Sequence, residues 1–233
     1  MKLITVEEHF ESATVTAAIQ AANGTTGAVP TMSPEMRHYM QTELPSPALM
    51  QDVTSERLAY MDQHGIDMQL LSYGNSSPQN LAPDVAIPLC KLANDELASV
   101  IAANPIRFAG LAVLPVCDPT AAAAELHYAV TKLGLKGVLL KGNYDNRFFD
   151  DPFFLPIFQA ASDLDVPVYF HPSFIPASVT HHYYENDNWS DLTTGILSSA
   201  GFGWHMDVGI QVMRMIVSGL FDKFPNLKLV SGH

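Results

Sequence analysis

Residues 150–172 read DDPFFLPIFQAASDLDVPVYFHP. Asp151-Pro152 is a helix-opening pair, because a proline in the first turn lacks an N–H that would have no partner there anyway. A helix follows to about Asp163. Val166–Phe170 (VPVYF) is then rich in β-branched and aromatic residues, which suits a buried strand. That strand runs straight into His171-Pro172. A helix delivering a strand that ends on a polar residue is one half of a βαβ unit, and the fold depends on whether the unit repeats.

It does repeat. Leu3–Val6, Asp67–Ser72, Arg107–Leu114, Gly137–Leu140 and Leu227–Ser231 read as further strands. Between them lie helical stretches: Ser55–His64, closed by Gly65; Val85–Ala103, stopped by Asn104-Pro105; Pro119–Leu133, with Gly134 beyond its end; and Met206–Leu220. Six strands separated by helices imply a parallel sheet, and short right-handed crossovers favour a barrel or a doubly wound sheet. Two segments without a clear period interrupt the alternation, Ala13–Asp52 and Pro172–Gly203. They are expected to be irregular functional loops, since both follow the C-terminal ends of strands, the active face of α/β barrels.

Composition narrows the function. The formal net charge is −12, from 24 acidic and 12 basic residues, with no acidic run. That balance excludes a phosphate-tracking nucleic-acid surface, which needs clustered Lys and Arg, and disfavours anionic membranes. No apolar run approaches the ~20 residues of a membrane span. No basic-then-apolar leader is visible, so a cytoplasmic location is the expectation. Cys90 and Cys117 are the only cysteines and form no CxxC pair, so both are expected to be small apolar core residues.

Chemistry gathers at strand ends. The first strand continues into VEEHF (6–10). With period-two alternation, Leu3, Thr5, Glu7 and His9 share one face and Ile4, Val6, Glu8 and Phe10 the other. The Ile4/Val6 face is expected to pack under helices, Glu7 and His9 to face the barrel mouth, and Glu8 to be structural. A lone ExH is more often a solvated strand end than a metal site. His171 after strand five and His233 after strand six are each, singly, ordinary strand-end histidines. Three strands that each place a histidine at the same end change the odds, because imidazole and carboxylate together ligate zinc and comparable metals.

VEEHF, RLAYMDQHGIDMQLLS (57–72), the opening stretch and SGLFDKFPNLKLVSGH (218–233) resemble the amidohydrolase-related metal-dependent decarboxylases, the group of aminocarboxymuconate semialdehyde, γ-resorcylate and 5-carboxyvanillate decarboxylases. The resemblance runs over nearly the whole chain, and the EEHF opening is most similar to the benzoate-type members. It implies a (β/α)8 TIM barrel of the metal-dependent hydrolase type, present here as roughly its first six β/α units in one incomplete domain, residues 1–233. It implies one divalent ion, zinc or manganese, with Glu7, His9 and His171 as ligands and His233 as the catalytic histidine beside it. It further implies an aromatic carboxylate substrate and a homo-oligomer. The family's last ligand, an aspartate after strand eight, has no counterpart here, so the chain is expected to be C-terminally truncated.

The implied reaction is non-oxidative decarboxylation of a hydroxylated benzoate. Arg57 is a candidate bidentate partner for the substrate carboxylate, against an alternative as a helix-surface arginine. Phe10, Tyr73, Phe174 and Trp189 are candidate pocket walls. Two other readings stay open. One is a metal-dependent amidohydrolase or lactonase, for which Lys141 stands where binuclear members carry a bridging lysine. The other is an inactive fragment.

Overall fold

The computed structural model describes residues 1–22, 32–74 and 77–233. The strands are β1 (Ile4–Phe10), β2 (Met68–Tyr73), β3 (Phe108–Gly110), β4 (Val138–Lys141), β5 (Pro167–His171) and β6 (Lys228–Ser231). The helices are α1 (Ala13–Ala21), α2 (Pro34–Thr42), α3 (Pro47–Gln51), α4 (Glu56–Gln63), α5 (Pro83–Ala103), α6 (Pro119–Thr131), α7 (Leu155–Asp163), α8 (Ala177–Tyr183), α9 (Asp191–Ile196), α10 (Gly203–Val217) and α11 (Leu220–Lys223).

All strand pairs are parallel and follow chain order, β1-β2-β3 and β4-β5-β6. The two groups are stitched together where the chain leaves β3. Lys136 donates its N–H to the Gly110 carbonyl at 2.8 Å, Ala112 to Gly137 at 2.8 Å and Leu139 to Ala112 at 3.0 Å. The result is a continuous arc of six β/α units of a TIM barrel, with α4, α5, α6, α7 and α10 as the crossover helices.

The arc has two apolar zones. The large one lies between sheet and helices and holds Leu71, Phe108, Val138, Leu140, Val168 and Phe170 against Leu97, Leu126 and Phe158. The small one is the barrel interior: Leu111, Leu139 and Tyr169, with Leu70 packed on them. Since residues on β5 alternate, Tyr169 and His171 both face inward.

Three expectations need correction. Strand three is shorter than the anticipated Arg107–Leu114, because the chain quits the ladder after Gly110. The fully buried Asn94 of α5 takes over: its amide accepts from the Val113 N–H and donates to the Val113 carbonyl, both at 2.9 Å. A side chain thus satisfies backbone groups that a strand would have satisfied. The segment 13–52 is not irregular where described: Ser12, Ser33 and Ser46 each cap a helix, α1, α2 and α3. Segment 172–203 likewise carries α8 and α9.

The third correction concerns β1. Its register to β2 runs Thr5↔Gln69 and then Glu8↔Leu71, so Val6 and Glu7 together oppose one residue. This is a β-bulge, and it reverses the simple alternation. Glu8 and Phe10 fall in with Leu71 and Tyr73 on the helix side, and His9 falls in with Ser72 on the barrel side. Ile4 and Val6 are not packed under helices; they are 52% and 50% exposed.

Candidate metal centre

The bulge aims Glu7. Its φ is +63°, a left-handed conformation costing a non-glycine residue roughly 1–2 kcal/mol. Glu7 Oε1 accepts from the His233 backbone N–H at 3.2 Å. The Tyr169 hydroxyl also bonds Glu7, and burial together with that bond pushes the phenol well above its usual range. Gly232 makes room for the carboxylate. A Cβ there would strike Glu7 Oε1, and would sit 2.7 Å from Tyr169 Cε1 and 2.8 Å from the Phe170 carbonyl oxygen.

The other histidines gather around His171. His171 is 4% exposed, and its Nδ1 lies 2.7 Å from the Pro172 carbonyl. A carbonyl only accepts, so Nδ1 carries the proton and Nε2 is a bare lone pair. Two other nitrogens lie 3.2 Å from that Nε2: His9 Nε2 and His233 Nε2. One lone pair can accept from only one of them. Ligands around zinc at 2.0–2.1 Å stand about 3.3 Å apart when tetrahedral and about 3 Å apart when octahedral. The observed spacing lies between these. The ligand atoms of Glu7, His171 and His233 all fall within 4.8 Å of one another.

Burial keeps two of the imidazoles neutral. Burial lowers His9 to about 4, helped by Lys141, His233 and Arg57. Burial lowers His171 to about 3, helped by His9 and Lys141. Both are therefore neutral near pH 7, the form that ligates. His9 Nδ1 is held by Ser72 Oγ at 3.3 Å. Of the four residues singled out from the sequence, Glu7, His171 and His233 come together as a donor set that fits one divalent ion, and His9 adjoins it at His171.

Arg57 and Phe10 are not brought there. Arg57 lies behind the sheet with an 11% exposed side chain, 4.0 Å from Glu8. Its guanidinium donates to the carbonyls of His9, Met50 and Asp52 and to Gln69 Oε1. Phe10 is 3% exposed, edge-on to Tyr73 in the outer core. Tyr73 is also core, with its hydroxyl donating to the Ala93 carbonyl at 2.9 Å. Trp189 is outside the cluster, and its indole donates to Tyr184 O and Thr194 Oγ1. Phe174 stands near it, 6.1 Å from the Trp204 ring.

Three neighbours escaped the sequence reading. Tyr169 was accessible to it, being two residues before His171 on one face of a strand. Gln79 was not: from an irregular loop its amide accepts from the Lys141 N–H and donates to the Lys141 carbonyl, both at 2.9 Å, bracing the end of β4. The third is Trp204 on α10, with its ring 5.3 Å from His233 and 6.2 Å from His171. Lys141 itself is lowered to about 8 by burial and donates to the Gly74 carbonyl at 3.3 Å.

The family model described as amidohydrolase matches residues 50–233. The chain belongs to the amidohydrolase family. Among curated relatives, this amidohydrolase chain is 34% identical to the decarboxylase orsB of Emericella nidulans, over 99% of its own length and 64% of the relative's. It is 33% identical to the gamma-resorcylate decarboxylase of a Polaromonas species, over 99% and 66%. It therefore spans about two thirds of the length of these proteins. A 5-carboxyvanillate decarboxylase from Novosphingobium aromaticivorans, solved with manganese and 4-hydroxy-3-methoxy-5-nitrobenzoic acid, superposes with a TM-score of 0.82 at 28% identity, covering 100% of this chain and 65% of that one. Among the described residues no helix is long and apolar enough to cross a membrane.

Proposed function

We propose that this amidohydrolase binds one divalent ion, zinc or manganese, through Glu7, His9 and His171. Its reaction is the non-oxidative decarboxylation of a hydroxylated benzoate. The observation that carries this reading is the meeting of Glu7 with imidazoles from β1, β5 and the end of β6, the His171 Nε2 lying 3.2 Å from those of His9 and His233. The decarboxylases among the relatives, and the manganese and nitrobenzoate held by one of them, support it.

When bound, the ion supplies Lewis-acid polarisation of the substrate's carboxylate and adjacent phenolic oxygen. The chain's residues do the rest. Glu7 offsets part of the 2+ charge. His171, locked in one tautomer by Pro172, offers a fixed lone pair. His233 stands beside His171, Nε2 to Nε2 at 3.2 Å. In its protonated form it delivers a proton to the ring carbon bearing the carboxylate. The C–C bonding pair then returns to the ring as CO2 departs, and aromaticity is restored. Trp204 stands beside His233 with its ring centroid 5.3 Å away and covers it on one side.

The test has two parts. Metal-stripped chain is titrated with Zn2+ and Mn2+, and content is measured by mass spectrometry, with one ion per chain expected. Glu7→Ala and His171→Ala should each abolish uptake, and unchanged content in either refutes the ligand assignment. The loaded protein is then given 2,6-dihydroxybenzoate. Released CO2 supports the reaction; no CO2 from the metal-loaded protein, with hydrolysis of an added aryl lactone, would instead place the protein among the hydrolases.

A further inference from the structure

His9 sits in a seat built by the end of β2. The register pairs His9 with Ser72, and the bulge in β1 puts His9 on the barrel-facing side that Ser72 occupies. Ser72 is 1% exposed, and its Oγ lies 3.3 Å from His9 Nδ1. Two residues on, Gly74 lies against the same ring: a Cβ there would stand 3.1 Å from His9 Cγ and 3.2 Å from His9 Cβ. The Arg57 guanidinium donates to the His9 carbonyl at 2.9 Å. Backbone, ring and Nδ1 are thus each held. Nε2, on the other side of the ring, lies 3.2 Å from His171 Nε2.

We propose that Ser72 is a positioning residue of the metal centre: its hydroxyl oxygen accepts a hydrogen bond from His9 Nδ1–H and so keeps the Nε2 lone pair of that ring turned toward the ion. This rests on the assignment of His9 as a ligand and extends it to the residue that orients the ligand. A neutral imidazole carries one proton, and only the nitrogen without it can ligate. For Nε2 to ligate, the proton has to sit on Nδ1, and there it needs an acceptor. Without the Ser72 oxygen the proton is either left unpaired or carried on Nε2, where it blocks the lone pair. Partners that orient metal-bound histidines in this way are worth about 10–100-fold in metal affinity.

The test measures Zn2+ affinity of the full chain by chelator competition, with no activity required. Ser72→Ala should weaken zinc binding about 10–100-fold. Ser72→Thr keeps the hydroxyl and should recover most of that loss. Should Ser72→Ala fail to fold, Ser72→Cys takes its place, since its sulfur is a weak acceptor of similar size. In 15N-resolved histidine spectra of the zinc-loaded protein, with His9→Ala assigning the signals, His9 should carry its proton on Nδ1. A His9 protonated on Nε2 refutes the proposal, and so does wild-type zinc affinity in Ser72→Ala or equal loss in the Ala and Thr variants. At saturating zinc, Ser72→Ala should bind 2-nitroresorcinol, whose nitro group mimics a carboxylate but cannot be lost as CO2, as tightly as wild type. A loss there that excess zinc does not restore would put Ser72 on the substrate and refute the positioning role. If His9→Ala lowers zinc affinity while Ser72→Ala does not, the ligand assignment stands without the proposal. If His9→Ala leaves zinc affinity unchanged, both fall together.

Discussion

Replacing Gly232 by alanine tests whether the carboxylate of Glu7 is held by space alone. The backbone of Gly232 is not among those with left-handed φ, so alanine meets no conformational penalty there. Its methyl would meet Glu7 Oε1, Tyr169 Cε1 at 2.7 Å and the Phe170 carbonyl oxygen at 2.8 Å. Two of these cannot yield cheaply. Tyr169 is wedged in the barrel interior, and the Phe170 carbonyl already accepts the Gly232 N–H at 2.8 Å. Overpacking of this kind costs about 1–3 kcal/mol, and loss of the hydrogen bond adds about 0.5–1.5 kcal/mol. The expected destabilisation is therefore about 2–4 kcal/mol, read as a lower urea midpoint of the metal-free chain with an unchanged slope. The third contact adds a separate signature. Glu7 has to move off His233, so affinity for Zn2+ in a chelator-competition titration should fall at least about tenfold, the scale of a disturbed metal shell. A midpoint within about 0.5 kcal/mol of wild type, the range of a surface substitution, would refute the steric argument. A lower midpoint with unchanged zinc affinity would show that Glu7 is not part of the centre.

Arg57→Ala should lower stability by about 2–4 kcal/mol in the same urea assay, because the carbonyl of His9 and the amide of Gln69 lose their donor. Its affinity for 2-nitroresorcinol should stay close to wild type once zinc is bound; a large loss of affinity with normal stability would return Arg57 to the substrate. A pH dependence follows from the two depressed histidines. Their folded values, about 4 and about 3, lie below the unfolded value of 6.5, so between those limits the unfolded chain binds more protons. Stability of the metal-free chain should thus be insensitive to these groups above pH 7 and decline as pH falls from 6.5 toward 3. His171→Ala should flatten that decline, and an unaltered slope would contradict the burial that produces it.

The alternation of strands and helices was legible because each element carries a local signal: prolines in first turns, Gly65 and Gly134 at helix ends, and β-branched runs. Glu7, His9, His171 and His233 were legible for a similar reason, since all stand at one end of recognisable strands. Period-two reasoning went wrong at the bulge, because nothing in ITVEEHF announces that Val6 and Glu7 share one partner. His9 still reached the barrel side, though through the bulge and not through the simple alternation. The early end of β3 depends on Asn94, 19 residues away from Val113, and long-range side-chain capping leaves no mark in a local pattern. The helices of 13–52 were passed over although Ser33-Pro34 and Ser46-Pro47 are start signals. Arg57 was ambiguous in the sequence because its four acceptors are mostly backbone carbonyls, which any residue supplies.

Glu7 and His233 are 226 residues apart in sequence, and the hydrogen bond between them draws β1 toward the end of β6. The two parallel half-sheets are joined by the backbone bonds around Ala112 and by one shared apolar core. An ion held jointly by β1 and β5 binds only when both halves are in place, so its free energy goes to their union and to neither half alone. Metal should therefore raise the unfolding midpoint of both half-sheets together.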